Sequence, residues 1–467
     1  MSENKNTVKE LKEKLFVSRK NGVFRMTEEE LMQCDNYCEN YKAFLDEAKT
    51  EREAVTASIK LLEAKGFKEY KCGMKLSAGD KIYRNNRGKA LIASIIGSAP
   101  IEEGTRICAA HIDSPRLDMK QNPVYEDNEI ALFKTHYYGG IKKYQWTAIP
   151  LSLHGVIVKA DGSEVTVSIG ENENDPVFCV TDLLPHLATD QMKRNLSQGI
   201  KGEELNILIG SRPFKDDEGS ELVKLNILNL LFEKYGITES DFISAELEAV
   251  PAFKAKDIGF DRSMIGSYGH DDRVCAYTAL TATLECENPY HTVVTVLADK
   301  EETGSDGNTG LCSAFLKYFL ADIAEALGSN GRTVISASEC LSADVNAAFD
   351  PTFPEVNERN NCAYINKGVC VTKFTGARGK SGTSDASAEF VGRVRRLLDK
   401  ENVIWQTGEL GKVDMGGGGT VAAYIANLNI DTIDVGVPVL SMHAPYEVVS
   451  KIDVYMAYRA FSVFIAD

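Results

Sequence analysis

A hydrophobic run, Thr292-Val293-Val294-Thr295-Val296-Leu297, leads directly into Ala298-Asp299-Lys300-Glu301-Glu302-Thr303-Gly304-Ser305-Asp306-Gly307. The β-branched run reads as a buried strand and the glycines as a tight turn after it. Glu301 and Glu302 then stand side by side at the end of that strand. Adjacent carboxylates repel each other where water is scarce, so something positive must compensate. A solvated acidic turn would need no chemistry. A divalent cation held by one glutamate, with the other moving protons, would use both.

Other metal-capable side chains recur in the same setting, just beyond a strand or before a helix. Strand-like residues 105–110 run into His111-Ile112-Asp113-Ser114-Pro115-Arg116. Ser267-Tyr268-Gly269-His270-Asp271-Asp272-Arg273 leads into a helix over 274–284. Residues 333–337 read as a buried strand leading to Asp344, and residues 432–437 as one leading to Ser441-Met442-His443. In open α/β sheets, ligands bind at the carboxyl ends of the strands. Singly, each residue has an ordinary explanation. Asp271 could cap a helix, Asp272 competes with it, and Asp344 could close an Asx turn. Together, two imidazoles and three carboxylates suit a pair of divalent ions with mixed nitrogen and oxygen ligands, and zinc fits that set. One carboxylate can bridge such a pair, which can share a hydroxide and lower its pKa. A leftover glutamate can then carry a proton to a leaving amine. Asp113 can hold the far ring nitrogen of His111 or its loop.

The elements that must position these groups follow from periodicity. Residues 7–16 form an amphipathic helical pattern, and Thr27 before Glu28-Glu29-Glu30 marks a helix start. A second long helical pattern spans 36–65 and stops at Gly66. Cys34 and Cys38, one turn apart, share a face. Residues 90–96 read as a strand. From about 117 to 247 the texture changes to short alternating strands, such as 151–159 and 164–169, with acidic loops. Alternating helices and strands then return, with helices over 311–327, 384–399 and 421–428 and a strand at 403–405. The expected architecture is α/β, a mixed central sheet flanked by helices. Residues 1–116 and 250–467 form it, interrupted by a mostly β insertion over 117–249.

The formal net charge of −16 argues against nonspecific nucleic-acid binding and against an anionic membrane surface. The opening MSENKNTVKELKEKLF has no apolar signal core, and no stretch has the apolar length that a membrane span needs. The 11 cysteines form no CxxC pair, which fits reduced thiols and a cytoplasmic location. Gly376-Ala377-Arg378-Gly379-Lys380-Ser381 lacks the phosphate-loop spacing, Gly416 to Gly419 lacks the dinucleotide spacing, and there is no GxSxG elbow.

The segments HIDSPRL, HDDRVCAY, DKEETGS, SADVNAAFDP and SMHAPYE, in this order, resemble the aspartyl aminopeptidase family of co-catalytic zinc exopeptidases. The resemblance covers nearly the whole chain. It implies two zinc ions per subunit, one held by His111, Asp271 and Asp344, the other by Asp271 as bridge with Glu302 and His443. Glu301 would be the general acid/base, with Asp113 beside it. The implied activity removes an amino-terminal Asp or Glu from short peptides. Lys373, Lys380 and Arg378 are candidate cations for the acidic side chain, and Gly419-Thr420 matches the family's late Gly-Thr segment. The family also lends an active-site histidine across a dimer. His186 is the nearest candidate, with Asp190 as the alternative occupant of that place. The insertion resembles the family's dimerisation module, implying a homo-oligomer built from dimers. The chain departs from the family at His270-Asp271-Asp272, where Leu-Asp-Asn is usual, and at Gly379 to Ser384. A two-metal deacylase or carboxypeptidase could use the same apparatus, and a non-catalytic scaffold could keep the same fold.

Overall fold

The computed structural model describes residues 7–17, 20–215 and 219–467. Residues 1–6 of the opening stretch lie outside them. Three sheets organise the chain. The largest has nine strands, in the order Lys68–Glu69, Lys81–Asn86, Ala90–Ile95, Thr292–Ala298, Thr105–His111, Glu339–Ser342, Asp431–Gly436, Val369–Thr372 and Trp405–Thr407. The middle four, from Thr292–Ala298 to Asp431–Gly436, run parallel, and antiparallel pairings join them to both flanks. This is the mixed α/β sheet expected from the alternation.

Side chains of these strands alternate between two cores, as the two-residue period of a strand requires. Leu91, Ala93, Cys108, Ala110, Val293 and Leu297 pack with the helices Glu28–Glu47, His270–Glu285 and Lys451–Ala466. Ile92, Ile107, Ala109, Val294 and Val296 pack on the other face with Phe319, Leu320 and Ile323 of Phe315–Ala326. Both faces are covered, which is why Thr292–Ala298 and Thr105–His111 are buried at every position. Cys34 and Cys38 share the buried face of Glu28–Glu47.

Two sequence expectations fail, each for a local reason. The pattern over 36–65 is not one helix but the end of Glu28–Glu47 followed by Glu51–Ala64. Thr50 adopts an extended conformation and caps the second helix. Its hydroxyl accepts the Glu53 amide at 3.3 Å, while the Glu53 carboxylate accepts the Thr50 amide at 3.2 Å. The Thr-x-x-Glu signature lay inside the periodic pattern and was hidden by it. Likewise, residues 333–337 form the helix Gly331–Ala337, and the strand is Glu339–Ser342. Asn330 caps that helix by accepting the Arg332 amide at 2.9 Å. A short β-branched apolar run does not by itself separate a buried strand from a buried helical turn. The strand expected at 403–405 is displaced to Trp405–Thr407.

The second sheet has seven strands, and all its pairings are antiparallel. Its strands run from Arg116–Asp127 to Ala245–Pro251, and it has its own core around Trp146, Leu153, Phe133 and Phe242. A third, five-stranded sheet pairs Met264–Ser267 with Glu447–Ser450, placing Ser267 opposite Glu447. No helix among the described residues is long and apolar enough to cross a membrane.

Thr50→Ala removes the cap that starts Glu51–Ala64. Loss of about 1 kcal/mol in denaturant unfolding is expected, the usual cost of losing a threonine cap. An unchanged midpoint would show that the two helices separate for another reason.

Candidate metal centre

Register brings the ligand candidates together. Ala298 lies directly opposite His111, and Ser342 opposite Ala109, in adjacent parallel strands. Glu301, Glu302 and Asp344 therefore leave the sheet beside His111. The third sheet supplies the rest: with Ser267 opposite Glu447, the turn carrying His443 meets the start of His270–Glu285. Asp271 and Asp272 have non-helical dihedrals there, so this first turn presents its carboxylates rather than continuing the helix.

Asp271 stands between the two imidazoles. His111 Nε2 lies 3.1 Å from Asp271 Oδ1, and His443 Nε2 lies 3.2 Å from Asp271 Oδ2. Each ring is oriented from behind. His111 Nδ1 lies 3.0 Å from the Asp113 carbonyl oxygen, and His443 Nδ1 lies 2.8 Å from that of Gly140. A carbonyl can only accept, so each Nδ1 is a donor, which leaves each Nε2 facing the cluster as the nitrogen that would ligate a cation. Glu302 Oε2 is 3.7 Å from His443 Nε2, while Glu301 Oε2 and Asp344 Oδ1 are both 3.9 Å from His111 Nε2. Asp113 accepts the backbone amides of Glu301 at 3.1 Å and Glu302 at 3.2 Å, which fixes the turn bearing both glutamates.

Among the described residues, potential ligand atoms gather into three groups: His111 with Glu301 and Asp344, Asp271 with Glu302 and His443, and Asp271 with Asp272 and Asp344. Within each group, they lie within 4.8 Å of one another. The electrostatics call for cations. Burial, then the charge of Asp271, raises Glu302 well above the usual carboxylate range. Burial, then Glu301, does the same to Asp344, and burial raises Asp272. Burial opposes protonation of His443, yet the Asp271 hydrogen bond and the charges of Glu302 and Asp271 push it up to about 10. Glu302 Oε1 and Asp272 Oδ1 are buried with no hydrogen-bond partner among the described residues. Divalent cations answer both problems, supplying positive charge and partners for oxygens that otherwise have none. The nitrogen and oxygen donor set suits zinc. His443 keeps 37% of its side chain exposed and Glu301 18%, against 5% or less for His111, Asp113, Asp271 and Glu302. The centre therefore opens on the His443 and Glu301 side.

Lys373, Lys380 and Thr420 have other partners. Lys373 and Lys380 both pair with Asp385, Lys380 at 2.7 Å, and Lys380 also sits 3.9 Å from the Phe374 ring centroid. Thr420 is buried, with its hydroxyl donating to Asp434 at 3.2 Å, and Gly419 beside it is exposed. Asp434 also accepts from Ser342, and burial pushes its carboxyl up to about 7. His186 is exposed in the second-sheet region and touches none of the cluster residues within this chain. Glu447 was missed. It is buried, accepts the Asp271 amide at 3.0 Å and the His443 amide at 2.6 Å, and is pushed up to about 8 by burial and by Asp271. Its only sequence signal was its place in the SMHAPYE segment, four residues after His443.

Residues 44–465 match the model of a family described as aminopeptidase I zinc metalloprotease (M18). The chain is 51% identical over 459 residues to a probable M18 family aminopeptidase 1 of Clostridium acetobutylicum, covering 97% of this chain and 99% of that protein. A crystal structure of an M18 family aminopeptidase from Thermotoga maritima superposes with a TM-score of 0.92 at 44% identity, over 96% of this chain and 99% of that one. A crystal structure of aminopeptidase I from Clostridium acetobutylicum gives 0.90 at 47% identity, over 97% of this chain and all of that one.

Glu447→Ala removes the carboxylate that seats both Asp271 and His443. A fall in zinc affinity of about 10–100-fold is expected, the usual effect of losing a partner behind a ligand. A chelator-competition titration measures it, and wild-type affinity would show that Glu447 does not hold the ligands in place.

Proposed function

The chain belongs to the M18 family of zinc aminopeptidases, and from that premise we propose that it removes amino-terminal Asp or Glu from short peptides with two zinc ions per subunit. Asp271 between His111 and His443 is the observation that carries the two-ion reading. Each of its carboxylate oxygens faces one imidazole, the arrangement expected of a bridge. His111, Asp271 and Asp344 would hold one ion; Asp271, Glu302 and His443 would hold the other. Asp271 is preferred to Asp272 as bridge because Asp272 instead accepts the His111 amide, at 3.3 Å.

Glu301 and Glu302 divide their work by environment. The Glu302 side chain is buried and its Oε1 needs a partner, which suits a ligand. Glu301 is more exposed, and burial raises its pKa, which suits a group that takes and gives a proton. When bound, the zinc ions would polarise the scissile carbonyl and acidify a water. Glu301 accepts the proton of the attacking water and delivers it to the leaving amine. Asp113 keeps Glu301 in reach through its amide and holds His111 from behind.

Lys373 and Lys380 carry two positive charges against the single Asp385 carboxylate, which leaves a net positive charge for an acidic side chain. Gly419 and Thr420 would offer backbone to the substrate, since the Thr420 hydroxyl is already taken by Asp434. His186 would act only in an oligomer, reaching the site of a neighbouring subunit. Leu183, Leu184, Leu187, Met192 and Leu196 are exposed around it, and that apolar stretch supports dimerisation through the inserted sheet. All 11 cysteines are free, in keeping with a cytoplasmic location. Family membership sets aside the deacylase, carboxypeptidase and scaffold readings.

Glu301→Gln should keep its zinc and lose about two to four orders of magnitude in kcat. Near-normal turnover would remove Glu301 from the proton pathway. His443→Ala should lose one of the two zinc equivalents, and full metal content in that variant would reject His443 as a ligand. In a panel of aminoacyl substrates, Asp and Glu should be cleaved fastest; faster cleavage of Leu would reject the acidic preference.

A further inference from the structure

Three residues that carry no sequence signal of chemistry, Tyr138-Gly139-Gly140, pass against the metal centre. They leave the end of the strand Ile130–Tyr138, which belongs to the seven-stranded sheet. The Tyr138 hydroxyl donates to Asp113 Oδ2 at 2.8 Å. The same carboxylate accepts the Glu301 and Glu302 amides, and its Oδ1 lies 3.3 Å from His111 Nδ1. The Gly140 carbonyl accepts from His443 Nδ1 at 2.8 Å. Between them, Gly139 passes against Glu302: a Cβ there would lie 3.0 Å from Glu302 Oε2, and its φ is +76°. One tripeptide thus touches the supports of both imidazoles and the side chain of one glutamate. Every contact comes from the second sheet, whereas the ligands come from the other two.

Tyr138 is itself held in place. The Arg116 guanidinium lies 3.9 Å from its ring centroid, and Arg116 pairs with buried Glu51 at 3.3 Å and Glu248 at 3.2 Å. The ring lies against an ion network that spans the junction between helix Glu51–Ala64 and strand Ala245–Pro251. A shift of the second sheet would therefore carry the tyrosine hydroxyl and the Gly140 carbonyl with it.

We propose that Tyr138-Gly139-Gly140 is a positioning strap through which the inserted sheet sets the zinc affinity of the centre, with Tyr138 as its positioning residue. This rests on the two-zinc reading above. Through Asp113, Tyr138 holds His111 and the Glu301-Glu302 turn; Gly140 fixes the ring of His443; Gly139 admits Glu302 where any side chain would crowd it. A merely packing role for Tyr138 would lie in its ring against Arg116, not in its hydroxyl.

Tyr138→Phe separates the two, because it keeps the ring and removes only the donor. The full-length protein is titrated with zinc against a chelator, and the melting temperature of the metal-free form is measured beside it. Zinc affinity should fall about 10–100-fold, the scale of losing a partner behind a ligand, with the metal-free melting temperature unchanged. Gly139→Ala should weaken one of the two zinc equivalents by displacing Glu302. Lys120→Ala, which breaks the exposed Lys120–Glu203 pair on the same sheet, should leave zinc affinity at the wild-type value. Wild-type zinc affinity in Tyr138→Phe, with or without a lower melting temperature, overturns the strap. A wild-type protein that takes up no zinc overturns the metalloenzyme reading and the strap together, so the two failures are distinguishable.

Discussion

Repulsion among buried carboxylates is the constraint around which this molecule is arranged. Asp113, Asp271, Asp272, Glu301, Glu302, Asp344 and Glu447 converge on one rim, and only two imidazoles stand among them. Such a cluster is unfavourable in any fold that offers it nothing positive. Its burial and its orphaned oxygens make sense once divalent cations are part of the folded state, because metal binding then contributes directly to holding these loops. Asp271 is the hinge of that logic, since it faces both imidazoles at once.

The sheet topology produces this convergence. Parallel strands all deliver their following residues to the same edge, so His111, Glu301-Glu302 and Asp344 meet without long loops. His443 and Asp271 arrive by a different route, through the antiparallel pairing of Met264–Ser267 with Glu447–Ser450. Glu447 then joins the two segments by accepting an amide from each. Among the described residues the seven-stranded sheet adds no candidate ligand, yet it touches the supports of both imidazoles.

Much of this was legible in the sequence because buried parallel strands announce themselves as β-branched runs, and the polar residues after them stand out. Thr292-Val293-Val294-Thr295-Val296-Leu297 before Glu301-Glu302 is the clearest case. The helix break at Thr50 and the helical turn over Gly331–Ala337 were hidden, since caps at Thr50 and Asn330 outweigh a hydrophobic period that continues across them. Residues that act by supporting others were the hardest to see. Glu447 and Tyr138 do their work through backbone amides and a second carboxylate, and nothing in a side chain's type or spacing reveals which amide it will meet. Lys373 and Lys380 were visible as cations, but their shared pairing with Asp385 depends on a loop closure that no local pattern encodes.

Anomalous diffraction at the zinc edge, on crystals of the zinc-loaded protein, locates the ions against Asp271. Two peaks per subunit are expected, one within bonding distance of each Asp271 carboxylate oxygen, the first also against His111 and the second against His443. A single peak, or two peaks with Asp271 bound to neither, would contradict it.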